Sequence, residues 1–403
     1  MTDVYKAVKL TDRVYWVGAI DWTIRDFHGY TTHRGSTYNA YLIMADKITL
    51  VDTVKAPFKD ELLSRIASVV NPKDIQVIVS NHSEMDHSGC LADVIRLVEP
   101  EKVIASTMGA KTLQDILHLD QEITAVKDGE QLGLGNMNLR FMETRMLHWP
   151  DSMFSYLPEE EILFSHDAFG MHLASAERFD DEIDPAILQY EGATYFANIL
   201  LPYSPLVTRL LGRVGSSGMT LKYIAPDHGP VWRKDIGGII GKYGEWAAQR
   251  PTRKAVVVYG TMWHSTEHMA RAISEGLAKG GAIARCMSLD VFHRSDVAYE
   301  ILDAGALVMG SSTLNNNMLP QAADILTYLK GLRPANLMGA SFGSYGWSGE
   351  APGQITDILK EMKIEVMAEP IKVQHVPREN DLARCYALGE DIALQLRRNK
   401  EVA

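Results

Sequence analysis

From residue 254 onward, apolar runs alternate strictly with amphipathic runs, and few folds accept that pattern. The apolar run KAVVVYG (254–260) passes through a polar turn into EHMARAISEGLAKGG (267–281). There Met269, Ile273, Gly276 and Leu277 recur at three- to four-residue spacing, the mark of one buried helix face. ARCMSLDV (284–291), ALVMGSST (306–313), ANLMGASFG (335–343) and IEVMAEPIKV (364–373) read as further strands. SDVAYEILDAG, QAADILTYLKGL, GQITDILKEMK and DLARCYALGEDIALQLRR read as the helices between and after them. Strands joined by helices pair in parallel, so this region predicts a doubly wound parallel sheet.

At 403 residues the chain is too long for one ordinary core, which predicts two domains. Arg250, Pro251 and Thr252 interrupt a helix and restart the chain in an apolar strand. The boundary is therefore expected there, with domains over 1–250 and 251–403. The first domain is rich in short β-like runs: TYNAYLIM (37–44), ITLVDTV (48–54), IQVIVS (75–80), KVIAS (102–106), NLRFMET (138–144), EILFS (161–165) and YIAPDH (223–228). Helical stretches such as KDELLSRIASVV (59–70) lie between some of them, which predicts mixed αβ layers.

With 46% hydrophobic and 23% charged residues, the composition is that of a soluble globular protein. No apolar run approaches the roughly 20 residues of a membrane helix. The N-terminal stretch MTDVYKAVKLTDRVYW has no apolar h-region, which points to the cytoplasm and away from membranes. Lys and Arg number 40 against 51 Asp and Glu, a formal charge of −11, which argues against nucleic acid as a partner. Cys90, Cys286 and Cys385 are scattered without CxxC spacing, so each reads as a small buried apolar residue.

The stretch NHSEMDHSGC (81–90) places His82, Glu84, Asp86 and His87 within six positions. A strand ending in His-x-Glu-x-Asp-His puts alternate residues on one side, so His82, Glu84 and Asp86 point together and His87 opens the next turn. Unpaired, those carboxylates would repel; a pair of divalent cations resolves the repulsion. Further donors are expected at other strand ends: His148 in RMLHWPDS, Asp167 in SHDAFG and His228 in APDHGP. His166 and Asp227 neighbour these donors and read as non-ligands, and Asp52 reads as a residue that orients a loop or a ligand near the site and binds no metal. The strand-end arrangement resembles the metallo-β-lactamase fold, whose usual motif is His-x-His-x-Asp-His. The chain departs from it at Glu84. Four imidazoles with three carboxylates suit iron or manganese better than zinc.

After the strand 254–260 comes Thr261-Met262-Trp263-His264-Ser265-Thr266 and then a helix, a turn suited to a mononucleotide phosphate. There is no GxxxxGK[ST] and no GxGxxG after a strand, so ATP and nicotinamide dinucleotides fit poorly. Two more loops sit at strand C-termini. One carries Ser311, Ser312, Thr313, Leu314, Asn315 and Asn316; the other carries Gly343, Ser344, Tyr345, Gly346 and Trp347. Tyr345, Trp347 and Trp263 suit the walls of a flat isoalloxazine ring, and the three loops together predict FMN.

A lactamase-like domain with this donor set, followed by a flavodoxin-like domain, resembles the flavodiiron proteins, also called A-type flavoproteins. GAIDWTIRDFHGY, TTHRGSTYNAYLI, ETRMLHWPDSM and FGSYGWSGE share the likeness, which spans nearly the whole chain and is greatest to the rubredoxin:oxygen oxidoreductases. The resemblance implies a metallo-β-lactamase-like αββα sandwich followed by a flavodoxin-like doubly wound parallel sheet. It implies one iron held by His82, Glu84 and His148, another held by Asp86, His87 and His228, and Asp167 bridging a non-haem di-iron site. His87 is the ligand whose counterpart in some relatives is displaced. His28, His172 and Tyr195 resemble groups that line the distal pocket and donate protons or hydrogen bonds. A head-to-tail homodimer, or a dimer of dimers, is implied on the same ground.

The activity implied is electron transfer from a carrier through FMN to the di-iron site. Oxygen would take four electrons and four protons to give two waters. Two nitric oxides would take two electrons and two protons to give nitrous oxide and water. The implied role is anaerobic detoxification. Rubredoxin is the expected donor and a reduced deazaflavin the alternative, and the balance between O2 and NO stays open. A zinc hydrolase on the same fold is opposed by Glu84 and the FMN loops; a plain electron carrier is opposed by the full donor set.

Overall fold

The computed structural model describes residues 4–119 and 121–402. It divides into two compact units, Met1–Tyr195 with Pro205–Gly244, and Phe196–Ser204 with Glu245–Ala403. Within the second unit, Asn198 accepts a hydrogen bond from the Tyr328 hydroxyl at 2.7 Å and donates to the Ser295 carbonyl at 3.3 Å.

The first unit is built on two sheets. One has seven strands in the order Val8–Lys9, Val14–Trp16, Tyr41–Ile43, Thr49–Val51, Val77–Ser80, Lys102–Ser106, Ile123–Val126. Its last four strands are mutually parallel. The other has five, in the order Gln131–Gly133, Asn138–Glu143, Met153–Leu157, Ile162–His166, Tyr223–Pro226. Side chains alternate between faces along a strand, and here both faces of the larger sheet are apolar. Tyr41, Ile43, Val77 and Val79 face Phe141, Met153, Ile162 and Phe164 of the smaller sheet. Leu42, Ile78 and Val103 face the other way, onto Leu62 and Ile66 of the helix Lys59–Ala67 and Val94 and Val98 of the helix Leu91–Val98. The two sheets thus share one core, with helices covering the larger sheet's outer side.

Strand direction decides where the polar residues gather. In the smaller sheet, Asn138–Glu143 and Ile162–His166 both run antiparallel to Met153–Leu157, and Tyr223–Pro226 runs parallel to Ile162–His166. The segments holding His148, Asp167 and His228 therefore leave that sheet at one edge.

The second unit has a parallel sheet in the order Ile283–Ser288, Lys254–Gly260, Ala306–Ser311, Met338–Tyr345, Glu365–Val366, with Ile371–Gln374 also on Met338–Tyr345. The helix Ser265–Lys279 buries Met269, Ile273, Gly276 and Leu277, the face expected from their spacing. That helix lies backbone to backbone against Glu379–Val402: a Cβ on Gly276 would sit 2.0 Å from the Tyr386 carbonyl, and one on Gly389 2.1 Å from that of Ile273.

Three expectations are corrected. TYNAYLIM is not one strand: Ser36–Tyr38 pairs with Ala19–Asp21 in a separate ribbon, and only Tyr41–Ile43 joins the large sheet. IEVMAEPIKV is two strands, because Pro370 lacks the N–H that a continuous ladder needs. Cys286 is exposed on the edge strand Ile283–Ser288, whereas Cys90 and Cys385 are buried. Among the described residues, no helix is long and apolar enough to cross a membrane.

Candidate functional site

The strand Val77–Ser80 stops one residue before the cluster. Asp52, at the end of Thr49–Val51, accepts from the Asn81 backbone N–H at 2.7 Å and from its side-chain amide at 2.8 Å, which pins the exit from that strand. The chain then turns through His82 and Ser83 into one helical turn, Met85–Ser88, with Glu84 just before it. Strand alternation is therefore not what gathers His82, Glu84 and Asp86; a pinned loop and a helical turn do so.

The loops after three strands of the smaller sheet complete the cluster. His148 follows Asn138–Glu143, Asp167 follows Ile162–His166, and His228 follows Tyr223–Pro226. The seven residues fall into two groups, His82, Glu84, His148 and Asp167 in one, and Asp86, His87 and His228 in the other. Asp167 faces both. Its Oδ2 lies 3.0 Å from His148 Nε2 and 3.2 Å from His82 Nε2. Its Oδ1 lies 3.2 Å from His87 Nε2 and 3.4 Å from His228 Nε2. Glu84 Oε2 closes the first group, at 3.2 Å from His82 and 3.3 Å from His148. Asp86 Oδ2 closes the second, at 3.1 Å from His228 and 3.3 Å from His87.

Histidine–carboxylate pairs alone do not account for this packing. Both Asp86 oxygens, Asp167 Oδ1 and both ring nitrogens of His87 are buried without a hydrogen-bond partner. Charges so close yet so angled that N–H cannot donate to O are costly unless something else satisfies the lone pairs. Two cations, one per group, would do so, and a set of oxygen and imidazole donors without thiolate suits iron or manganese. Burial alone would raise the Asp167 carboxyl; His87, His148 and His82 outweigh it and hold it well below the usual carboxylate range.

Around the cluster, His228 Nδ1 lies 2.5 Å from the Thr37 carbonyl, an acceptor, so Nδ1 carries a hydrogen and Nε2 is the nitrogen turned toward the aspartates. His172 is buried, its Nδ1 is 2.8 Å from Ser36 Oγ, and its ring lies 4.6 Å from that of His228 and 5.2 Å from that of Tyr195. Burial pushes His172 well below its ordinary range and the Tyr195 hydroxyl well above its own, so His172 is neutral and Tyr195 keeps its proton. His28 is three-quarters exposed, at 75%, and reaches Glu84 Oε1 at 3.1 Å.

A separate cleft of about 430 Å³ opens at the C-terminal ends of the strands of the second unit. Met262, Trp263 and Ser265 line it from the first predicted loop, Ser312, Thr313, Leu314 and Asn315 from the second, and Ser344, Tyr345, Gly346 and Trp347 from the third. Trp263 and Trp347 are 85% and 89% exposed, so two flat apolar faces lack protein cover. Beneath the cleft, Thr266 Oγ1 ties the loops together, 3.0 Å from Ser312 Oγ and 2.9 Å from Ser344 Oγ. The hydroxyl of Thr261 is buried without a partner beside the N-terminus of the helix Ser265–Lys279, where a phosphate oxygen would satisfy it. Bare aromatic faces and an unused hydroxyl at a helix start fit FMN.

Comparison with known proteins covers both domains. Residues 37–229 match the family model described as ODP family beta lactamase, and residues 257–389 match that of flavodoxin. The chain is 47% identical to a nitric oxide reductase of Moorella thermoacetica, over 96% of this chain and 98% of that protein. The structure of the rubredoxin oxygen:oxidoreductase from Desulfovibrio gigas matches with a TM-score of 0.96 at 43% identity, covering 98% of this chain and 99% of that one. The flavodiiron protein of Giardia intestinalis matches with a TM-score of 0.95 at 34% identity, covering 98% of both chains. The chain belongs to the flavodiiron protein family.

The architecture of this flavodiiron protein is the expected one, a β-lactamase-like domain followed by a flavodoxin-like domain. Several predicted residues stand back from the flavodiiron protein's cleft. His264 turns to Glu267 at 2.8 Å, Ser311 donates to the Ser312 carbonyl at 2.8 Å, and the Asn316 side chain accepts from Ser348 at 3.3 Å. Gly343 and Thr266 are buried beneath the loops.

Sequence reading missed Asp151, Asn81 and Ser36, as well as His375 and Val376, which line the cleft. Asp151 is buried, accepts from the Ser83 N–H at 2.7 Å and lies 3.5 Å from His82 Nδ1. Its signal was an acid three residues after His148; that of His375 was its place just after the strand Ile371–Gln374.

Proposed function

We propose that this flavodiiron protein is an oxidoreductase that takes electrons from a carrier, passes them through FMN to a non-haem di-iron site, and reduces a diatomic gas. The observation that carries the reading is Asp167, whose two oxygens face two separate donor groups. Bound FMN would supply storage of two electrons released singly, and bound iron would supply redox chemistry on the gas. His82, Glu84 and His148 would hold one iron and Asp86, His87 and His228 the other, with Asp167 between them. The Thr261 hydroxyl and the turn leading into the helix Ser265–Lys279 would take the phosphate, and the exposed faces of Trp263 and Trp347 would flank the ring.

The protein's other residues shape the space beside the metals. His172, Tyr195 and Phe27 wall it with rings, and the Phe27 ring lies 4.7 Å from that of His172. Tyr195 keeps its hydroxyl proton and so can donate a hydrogen bond into that space, and His28 stands exposed at the rim against Glu84. The domains are taken as 1–250 and 251–403, and the active form as a head-to-tail homodimer or a dimer of dimers.

The names of the relatives supply the substrates of the proposal: O2 going to water, NO going to nitrous oxide, and rubredoxin as donor. Gas electrodes run in parallel, with protein holding iron and FMN and chemically reduced rubredoxin, are the test. Faster O2 uptake makes it an oxygen reductase, and faster NO uptake with nitrous oxide formed makes it a nitric oxide reductase. Consumption of neither gas sinks the reading.

A further inference from the structure

Three of the four clustered imidazoles have a group directly behind the ring nitrogen that faces away from the donors. His82 has Asp151 and His228 has the Thr37 carbonyl. His87 has Asp227, whose Oδ2 lies 3.6 Å from its Nδ1. The first two supports are themselves fixed, Asp151 by the Ser83 N–H and Thr37 by its place in the strand Ser36–Tyr38. Asp227 differs. It is fully buried, and neither of its side-chain oxygens has a hydrogen-bond partner. Its backbone is well held, with its N–H donating to the His166 carbonyl and its carbonyl accepting from Asn39, both at 2.7 Å.

His87 is the mirror case. Its carbonyl accepts from Thr53, through both the hydroxyl and the backbone N–H, while both ring nitrogens are buried without a partner. Two clamped backbones thus present two unpaired side chains to each other across 3.6 Å, too long for a hydrogen bond and a few tenths of an ångström from one. An acid side chain that, among the described residues, is paired with no arginine or lysine gains nothing from burial unless it serves the ring before it. An imidazole that binds a cation through Nε2 becomes a stronger donor at Nδ1, and a carboxylate behind it fixes its tautomer and aim.

We propose that Asp227 is the positioning residue of His87: its Oδ2 accepts a hydrogen bond from Nδ1–H and so aims Nε2 at the space shared with Asp86, His228 and Asp167. This rests on the di-metal reading and deepens it, since it makes His87 the ligand whose engagement depends on one unanchored partner. A site so built gains or loses one of its two metals through a single buried side chain.

The test uses the full chain stripped of metal and titrated anaerobically with Fe(II). The wild type takes up two ions. Asp227→Ala is expected to weaken one of the two sites by about 10–100-fold and leave the other unchanged. Asp227→Asn, which keeps an acceptor oxygen, is expected to restore most of that loss. The double variant Asp227→Ala/His87→Ala is expected to bind no worse than His87→Ala alone, because the aspartate acts only through the ring. Wild-type affinity at both sites of Asp227→Ala, or a double variant in which the two losses add, overturns the proposal. So does an equal loss at both sites that Asn does not relieve, which marks a residue that holds the fold. A wild type that takes up no Fe(II) fails earlier, at the di-metal reading itself.

Discussion

Asp167 is the residue whose loss reaches furthest. Because each donor group meets one of its oxygens, Asp167→Ala is expected to drop bound iron from two toward none and to abolish gas reduction. Metal analysis of the purified variant checks this, and two retained irons with full turnover would refute the assignment. The cysteines offer a test that needs no metal. Burial raises the thiols of Cys90 and Cys385, the latter to about 12, so neither is expected to react in the folded protein. Cys286 is exposed as a residue although partial burial of its sulfur raises its pKa too; the exposure decides access. One equivalent of an alkylating reagent is thus expected to enter the native chain, at Cys286, and three after unfolding. At this scale the seven clustered donors were legible because acids and imidazoles at strand ends are rare in a sequence. Asp151 and Ser36 were not, since what distinguishes them is the atom they touch, His82 Nδ1 and His172 Nδ1, and not their type or spacing.

Among the elements, the three loops of the second unit meet at one hydroxyl. Thr266→Val keeps shape and volume but removes the link to Ser312 and Ser344. A buried hydroxyl left unpaired costs about 1–3 kcal/mol, so FMN is expected to bind roughly tenfold more weakly. Titration of the apoprotein followed by flavin fluorescence checks this, and unchanged affinity would show the loops hold their shape without it. Apart from IEVMAEPIKV, which Pro370 divides, the strands and helices after 254 were readable because apolar period and element type coincide there. In the first unit, periodicity failed at two points for physical reasons. TYNAYLI is buried throughout, so no alternation marks the break between Tyr38 and Tyr41. The residues 82–86 alternate like a strand yet fold as a loop and a helical turn, because Asp52 holds Asn81 where the strand ends.

For the molecule as a whole, metal binding and stability are linked. Without cations, Glu84, Asp86 and Asp167 crowd one buried space, and the first unit carries that burden alone. Chelation is therefore expected to lower the melting temperature of the β-lactamase-like domain while FMN remains bound to the other. Differential scanning calorimetry with flavin release followed alongside checks it; a flavodoxin-like domain that melts equally early would refute the separation. The division of the chain has a different consequence. The backbone leaves the first unit after Tyr195, lends Phe196–Ser204 to the second, returns at Pro205 and crosses again after Gly244. Exchanging the second unit for another by recombination would need three junctions, not one. A single crossover near residue 250 would strand Asn198 without its own Tyr328 and Ser295, so a swapped cassette must either bring matching partners or mend that splice.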